Sequence, residues 1–414
     1  MSVTTATLPL LTDSLGASAL LYSNEQDGIF RYTPATLTLS LSVPDLRQQY
    51  PAADAARLAP PLGWQSNDQP LRRLGAANED LTWQISPAGL PASCRQTFRC
   101  DLLAGETIIA TVEHALAIEL RGHSAFDPVR DIPPFRNSTA DLGDIEPRRE
   151  LFDRTYRCGG MILPGAFFRG LYRDIVFLAS GTDARGGGGL CTGMARYALG
   201  CSLTGEHPPV ERVREVVQIW HGRQMTDAAL LAAAAQFLTP NAAGSFQRFR
   251  EQVLTSGYGS VAFDIGIARW EWSPHTWPEI FQRLVTQGHT IVPYAFRQTD
   301  DDSATVQVYD PSYPAPEDAP QNIVRFDLAR NRYAYRGFGA LDRDDPTTVL
   351  AVTQRPFSQP GTAFLASLAS LIMHPATGEA EVRGNKTVQR GLAALATGLL
   401  GIVFLRARRK QAAI

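Results

Sequence analysis

Apolar residues along this chain keep two different periods, and the change between them leaves few folds open. From about Gly28 to Gly122 they alternate with polar ones, as in residues 36–43 (TLTLSLSV), 81–86 (LTWQIS) and 107–120 (TIIATVEHALAIEL), with Pro and Gly clusters between. A period of two puts one face of each strand into a core, so residues 1–125 are expected to form a β-rich domain, sandwich-like or a small barrel. Beyond residue 150 the spacing becomes three to four, over residues 191–200, 210–221, 227–237 and 246–255, each an expected helix. Alternating or continuous apolar runs return over 260–268, 290–296, 305–309 and 322–328. Helices followed by an antiparallel sheet predict an α+β domain over residues 151–345. Residues 126–150 are rich in Pro, Asp and Arg with little periodicity, and read as a linker.

A length of 414 residues suits two domains, or three, each burying its own core. With 44% hydrophobic and 19% charged residues the bulk is globular, and a net charge of −2 offers nothing to attract nucleic acid. Five cysteines are too few and too scattered for a disulfide framework, although a bridge between Cys94 and Cys100 stays open. The seven histidines fall in no metal-ligand spacing, so neither a metal nor another cofactor is expected. Residues 1–30 lack the basic start and continuous apolar run of a secretory signal, which predicts a cytoplasmic protein. A C-terminal extension, 346–414, holds an uncharged apolar segment at 391–405 followed by Arg406, Arg408, Arg409 and Lys410. Its length suits an interfacial membrane anchor or a marginal span; the alternative is a helix packed into a core.

Chemistry concentrates where Gly186, Gly187, Gly188 and Gly189 run into Leu190 and Cys191, because a thiol at a helix start meets unpaired N–H groups and the positive end of the dipole. A base and a group to orient it are available downstream. His289 opens one apolar strand and Asp310 closes the next; a turn at 299–303 would bring both to one end of a hairpin. Singly, His289 reads as a loop histidine and Asp310 as an Asp-Pro turn initiator; together with Cys191 they stand in the order of a Cys–His–Asp triad. Cys158, in a similar Cys-Gly-Gly-Met run, competes for the nucleophile, but Pro164 soon after it disfavours a helix there. Trp270 and Trp272 are candidates to line a substrate cleft, with core packing as the alternative. His221 is expected at the end of the 210–221 helix, with Gly222 as its cap.

Three blocks carry a family resemblance: Gly189 to Ala195 (GLCTGMA), Gly288 to Tyr294 (GHTIVPY) and Val308 to Pro314 (VYDPSYP). In this order they resemble bacterial papain-like proteins related to the bacteriocin-processing peptidases, over roughly residues 155–340. Residues 164–172 (PGAFFRGLY) are similar to an aromatic segment ahead of the cysteine block in such chains. The resemblance implies a papain-like helix-plus-sheet domain in which Cys191 is nucleophile, His289 general base and then acid, and Asp310 the group that fixes the imidazole tautomer. It also implies a protein or peptide substrate and a thioester intermediate. One departure concerns the oxyanion. Papain-like enzymes commonly place a glutamine just before the cysteine, but no Asn or Gln lies between Asn137 and Cys191, which leaves Ser180, Thr182 and Arg185 as candidate donors. Ser312, standing where the family has asparagine, is the other. Three functions stay open on these residues: a cysteine peptidase, an acyltransferase, transglutaminase-like or deamidating enzyme on the same triad, and an inactive adaptor. The separation of Cys191 from His289 discriminates the last from the first two.

Overall fold

A computed structural model describes residues 11–13, 20–23, 37–75, 79–88, 93–138, 141, 149–156, 189–226, 228–229, 241–267, 289–343 and 349–354. It is a mixed α and β structure with mostly antiparallel sheets. The chain divides into two compact units, residues 1–123 with 296–304, and residues 124–295 with 305–414.

The first unit contains β1 (Leu11–Asp13), β2 (Leu20–Ser23), β3 (Leu37–Leu41), α1 (Val43–Gln49), β4 (Ala55–Ala59), β5 (Trp64–Ser66), β6 (Leu71–Arg73), β7 (Leu81–Pro87), β8 (Arg95–Ala104) and β9 (Thr107–His123). One sheet runs β1-β3-β7-β5; in the other, β6, β4, β8 and β9 pair antiparallel in turn and β2 joins β9 in parallel. The alternation seen in the sequence becomes burial. Leu37, Leu39 and Leu41 of β3 are fully buried while Thr38 and Ser40 stay partly open, and Leu39 stands opposite the buried Trp83 of β7. The sheets meet where Trp64 of β5 packs edge-on against Phe98 of β8, ring centroids 5.3 Å apart. The β8–β9 turn needs Gly105, whose φ is 63°. Cys94 and Cys100, left open as a bridge, are separate buried thiols. Burial, with Asp101 adding to it, pushes Cys100 up to about 12, so this cysteine is inert at neutral pH.

The second unit contains α2 (Arg149–Thr155), α3 (Cys191–Thr204), α4 (Val210–Gly222), α5 (Ala242–Ser256), β10 (Val261–Ile267), β11 (His289–Gln298), β12 (Ser303–Tyr309), β13 (Ile323–Asp327), β14 (Arg332–Tyr335), β15 (Phe338–Gly339) and β16 (Val349–Gln354). Residues 296–304, at the tip of the β11–β12 hairpin, group with the first unit. The strand order is β16-β10-β11-β12-β13-β14-β15. Helix α3 runs four residues past its expected end and stops at Gly205, whose φ of 70° lets its N–H cap Cys201 at 2.8 Å. Helix α5 starts earlier than the apolar pattern suggests, because the Asn241 side chain caps it by accepting from the Gly244 N–H at 2.7 Å.

Two expectations are corrected here. The stretch read as a linker from residue 126 is part of the second unit. Phe126 is buried in one cluster with Ala195, Ala198 and Leu199 of α3 and with Tyr294 and Tyr309 of the sheet. Asp131, also buried, accepts from Arg130 and His207. Prolines and aspartates here build turns inside a fold: Asp127 accepts from the Val129 and Arg130 N–H groups at 2.8 and 3.1 Å. Gly222 does not cap α4 in the left-handed conformation, since its φ is −60° and the chain continues into a 3-10 turn. It is needed for close approach: a Cβ there would come to 2.7 Å from Thr155 Cγ2, and Tyr156 donates to the Gly222 carbonyl at 2.7 Å.

The apolar segment 391–405 and most of the expected helix over 227–237 lie outside the described residues. Among the described residues no helix is long and apolar enough to cross a membrane.

Candidate active site

Cys191 is the first residue of α3. Its N-cap residue, Leu190, has no side chain that can cap, so among the described residues the dipole and the first-turn N–H groups are left for whatever faces them. The helix is buried around nearly its whole circumference. On one side Gly193 lies against α4, where a Cβ would strike the Val217 carbonyl oxygen and come to 2.8 Å from His221 Cβ. On the other, Ala195, Ala198 and Leu199 pack against Ala262 of β10, Val292 and Tyr294 of β11 and Tyr309 of β12. Small residues on both faces let the helix carrying Cys191 lie close against the strands that carry His289 and Asp310.

His289 opens β11 and Asp310 directly follows β12, so the hairpin brings them together across 21 residues of chain. His289 Nε2 and Asp310 Oδ1 are 2.7 Å apart. The carboxylate is otherwise saturated: Oδ1 accepts from the Ser312 N–H at 2.8 Å and Oδ2 from the Tyr335 hydroxyl at 2.5 Å. Burial disfavours the Asp310 anion, but the bond and charge of His289, with Tyr335 and Ser312 behind them, hold it below the usual carboxylate range.

The sulfur completes the arrangement. Burial alone would raise the Cys191 thiol. A hydrogen bond with His289 and its charge, the Thr290 N–H and the Thr192 hydroxyl outweigh burial and bring it below the ordinary value. Burial likewise works against the imidazolium of His289, and the bonds and charges of Asp310 and Cys191 raise it well above the ordinary histidine. These opposite shifts in two coupled groups both favour the thiolate and the imidazolium over the neutral pair. With Nε2 given to Asp310, Nδ1 is the ring nitrogen left for the sulfur.

A polar shell that spacing alone did not suggest holds this pair. Asn322 donates to the Tyr313 carbonyl at 2.9 Å and accepts from Tyr335 and Arg336 at 3.3 and 3.0 Å. Arg336 also lies over the Tyr313 ring, 3.9 Å from its centroid, and Phe338 stacks on the His289 ring at 6.4 Å. Asn322, Tyr335, Arg336 and Phe338 follow Asp310 by 12 to 28 positions, and the return of the chain through β13, beside β12, and then β14 and β15 brings them back.

Asn137 is the least expected neighbour. Its N–H donates to the Pro311 carbonyl at 2.9 Å and its Nδ2 to Ser312 Oγ at 3.2 Å. Its amide also lies against Gly189, so close that any Cβ at that position would collide with it. The buried Asn137 Oδ1 has no hydrogen-bond partner among the described residues. A side-chain amide therefore stands between the segment leading into Cys191 and the one leaving Asp310, contributed by chain that reads as linker. Its only sequence signal is the glycine it presses on.

The structure brings Cys191, His289 and Asp310 together. Ser180, Thr182, Arg185, Cys158, Trp270 and Trp272 lie outside the described residues. Among the described residues no group of three or more His, Cys, Asp or Glu is placed to hold a metal ion. No protein-family model matches the chain, and no curated protein matches it.

Proposed function

We propose that this protein is a papain-like cysteine hydrolase, foremost a peptidase, acting through a thioester on Cys191. The observation that carries the reading is the 2.7 Å bond from His289 to Asp310 beside the start of a buried helix, where His289 brings down the Cys191 thiol that burial alone would raise. An adaptor that had lost its chemistry would have no need of a thiol lowered against the pull of burial, or of an imidazolium raised against it.

The steps follow from the pairing. The Cys191 thiolate attacks the substrate carbonyl carbon, the C–S bond forms and the carbonyl electrons move to oxygen. His289, already protonated, gives its Nδ1 proton to the departing amine as the C–N bond breaks. Water then attacks the thioester while His289 takes its proton, and the C–S bond breaks to regenerate the thiolate. Asp310 accepts from Nε2 throughout, keeping Nδ1 directed at the sulfur.

The oxyanion needs two donors. The Cys191 N–H at the helix start supplies one, and Asn137 is suited to supply the other. Ser312 Oγ both donates and accepts, so the amide can turn about its last torsion, accept from Ser312 and present Nδ2 where Oδ1 now lacks a partner. Asn137→Ala is expected to lower kcat on the order of 100- to 1,000-fold with KM little changed, measured on a peptide the wild type cleaves. An unchanged kcat removes Asn137 from the mechanism.

The reading itself is tested with iodoacetamide at pH 6.5 and mass mapping of the alkylated cysteines. Cys191 is expected to react well ahead of Cys100 and Cys201, whose thiols burial raises, and its modification is expected to abolish cleavage of a peptide library. Labelling of Cys191 no faster than the others overturns the proposal.

A further inference from the structure

The residues immediately after the nucleophile and the base are both threonines, and their hydroxyls meet. Thr192 Oγ1 and Thr290 Oγ1 are 2.8 Å apart, buried, across 98 residues of chain. Thr290 donates its hydroxyl proton to Asp264 Oδ1 at 2.7 Å. A hydroxyl has one proton, so Thr290 meets Thr192 as an acceptor, and the chain of bonds runs Thr192 to Thr290 to Asp264, with the Thr192 proton shared between Thr290 and the Cys191 sulfur. Asp264 stands opposite Thr290 in the β10–β11 register and lies within electrostatic reach of Arg196, buried one turn along α3 from Thr192. The network thus starts on the nucleophile's helix, crosses β11 and β10, and returns to the same helix through charge.

The Thr192 hydroxyl also faces the Cys191 sulfur, but no acyl-transfer step uses the Thr290 hydroxyl, and burying it has a cost unless it is paired. Ordinary packing at such a contact is served by valine, which has the same shape. Their position suggests a better reason. The triad bonds fix the side chains of Cys191 and His289, whereas this second line fixes the backbones that carry them, one residue further on. Resting on the cysteine-hydrolase reading above, we infer that Thr192, Thr290 and Asp264 form a positioning brace that sets the separation and alignment of Cys191 and His289.

The test is the pH dependence of Cys191 alkylation by iodoacetamide in the full-length protein, with folding checked by circular dichroism and thermal melting. Thr290→Val keeps the shape and removes the central hydroxyl. It is expected to slow alkylation at pH 6 about tenfold and to raise the midpoint of the profile by about one unit, the scale of one lost buried hydrogen bond. Thr290→Ser restores the hydroxyl and is expected to restore the wild-type profile. Thr192→Val approaches the same bond from the other side and also removes the hydroxyl facing Cys191, so the double Val variant is expected to shift by less than the sum of the two singles, because the shared bond is lost only once. A wild-type profile in Thr290→Val overturns the brace, and so does a Thr290→Ser profile as poor as that of Thr290→Val, which would mark loss of packing. Failure of the underlying reading is separable: it appears as a wild-type profile in His289→Ala, whatever the threonine variants do.

Discussion

His289→Ala is expected to return Cys191 to an unreactive thiol. In the native site burial pulls the thiol up and the imidazolium holds it down; with the ring removed the Thr290 N–H and the Thr192 hydroxyl remain, and burial prevails. A thiol at or above its ordinary value is almost wholly protonated at pH 7, so alkylation there is expected to fall steeply, toward the rate of the other buried cysteines. Hydrolysis loses more, because the proton donor for the leaving amine is gone as well, and a fall in kcat on the order of 10⁶ is expected by analogy with other triads. The wild-type kcat/KM profile should be a bell, rising through the lowered thiol and falling as pH climbs through the raised imidazole. The variant should lose the bell and show one thiol titration at high pH. Stopped-flow alkylation between pH 4 and 10 reads this directly, and an unaltered profile would remove His289 from the site.

Asp310 is the second position where a large effect is expected, and there the substituted residue decides its size. Asp310→Ala leaves His289 Nε2, the Tyr335 hydroxyl and the Ser312 N–H without their shared acceptor in a buried place. A cost of about 3–5 kcal/mol in unfolding free energy and a fall in kcat on the order of 10⁴ are expected. Asp310→Asn keeps an acceptor for Nε2 if its amide N–H₂ turns to Tyr335, whose hydroxyl proton can then go wholly to Asn322 Oδ1, already 3.3 Å away. The ring stays oriented and much more activity survives. What Asn cannot supply is charge. Asp310 raises His289, so its neutral replacement is expected to move the alkaline limb of the bell to lower pH, with the acid limb moving up as the imidazolium is less well held. Urea unfolding and pH–rate profiles on the two variants check both halves. Equal losses in Ala and Asn would mean that orientation of the ring contributes little.

Those two residues were legible from the chain because each sits at a boundary that local chemistry marks. A strand's period breaks at His289 and again at Asp310, and a glycine run gives way to helical spacing at Cys191. The hairpin between them needs only a turn at 299–302. Asn137 carries no such mark. Its segment has little periodicity because it is built from turns, and turns look the same whether they cross a surface or line a core. Gly222 shows the same limit: glycine after a helix suggests a cap, while here it makes room for Thr155 and Tyr156.

Local patterns in the chain marked where strands give way to helices and back, and singled out Cys191, His289 and Asp310 as candidates for a triad. Both follow from short-range regularities, the period of apolar residues and the residue types at element ends. It took the folded chain to set Asn137 against Gly189, to close the second oxygen of Asp310 with Tyr335, and to bring Thr192 to Thr290. Such contacts join residues 25 to 175 positions apart in chains of hydrogen bonds. A hydrogen bond depends on atoms coming within about 3 Å, and nothing local in the sequence encodes which distant polar group will arrive there. The packing of α3 between α4 and the sheet encodes it, through Gly193 on one face and Ala195 and Ala198 on the other.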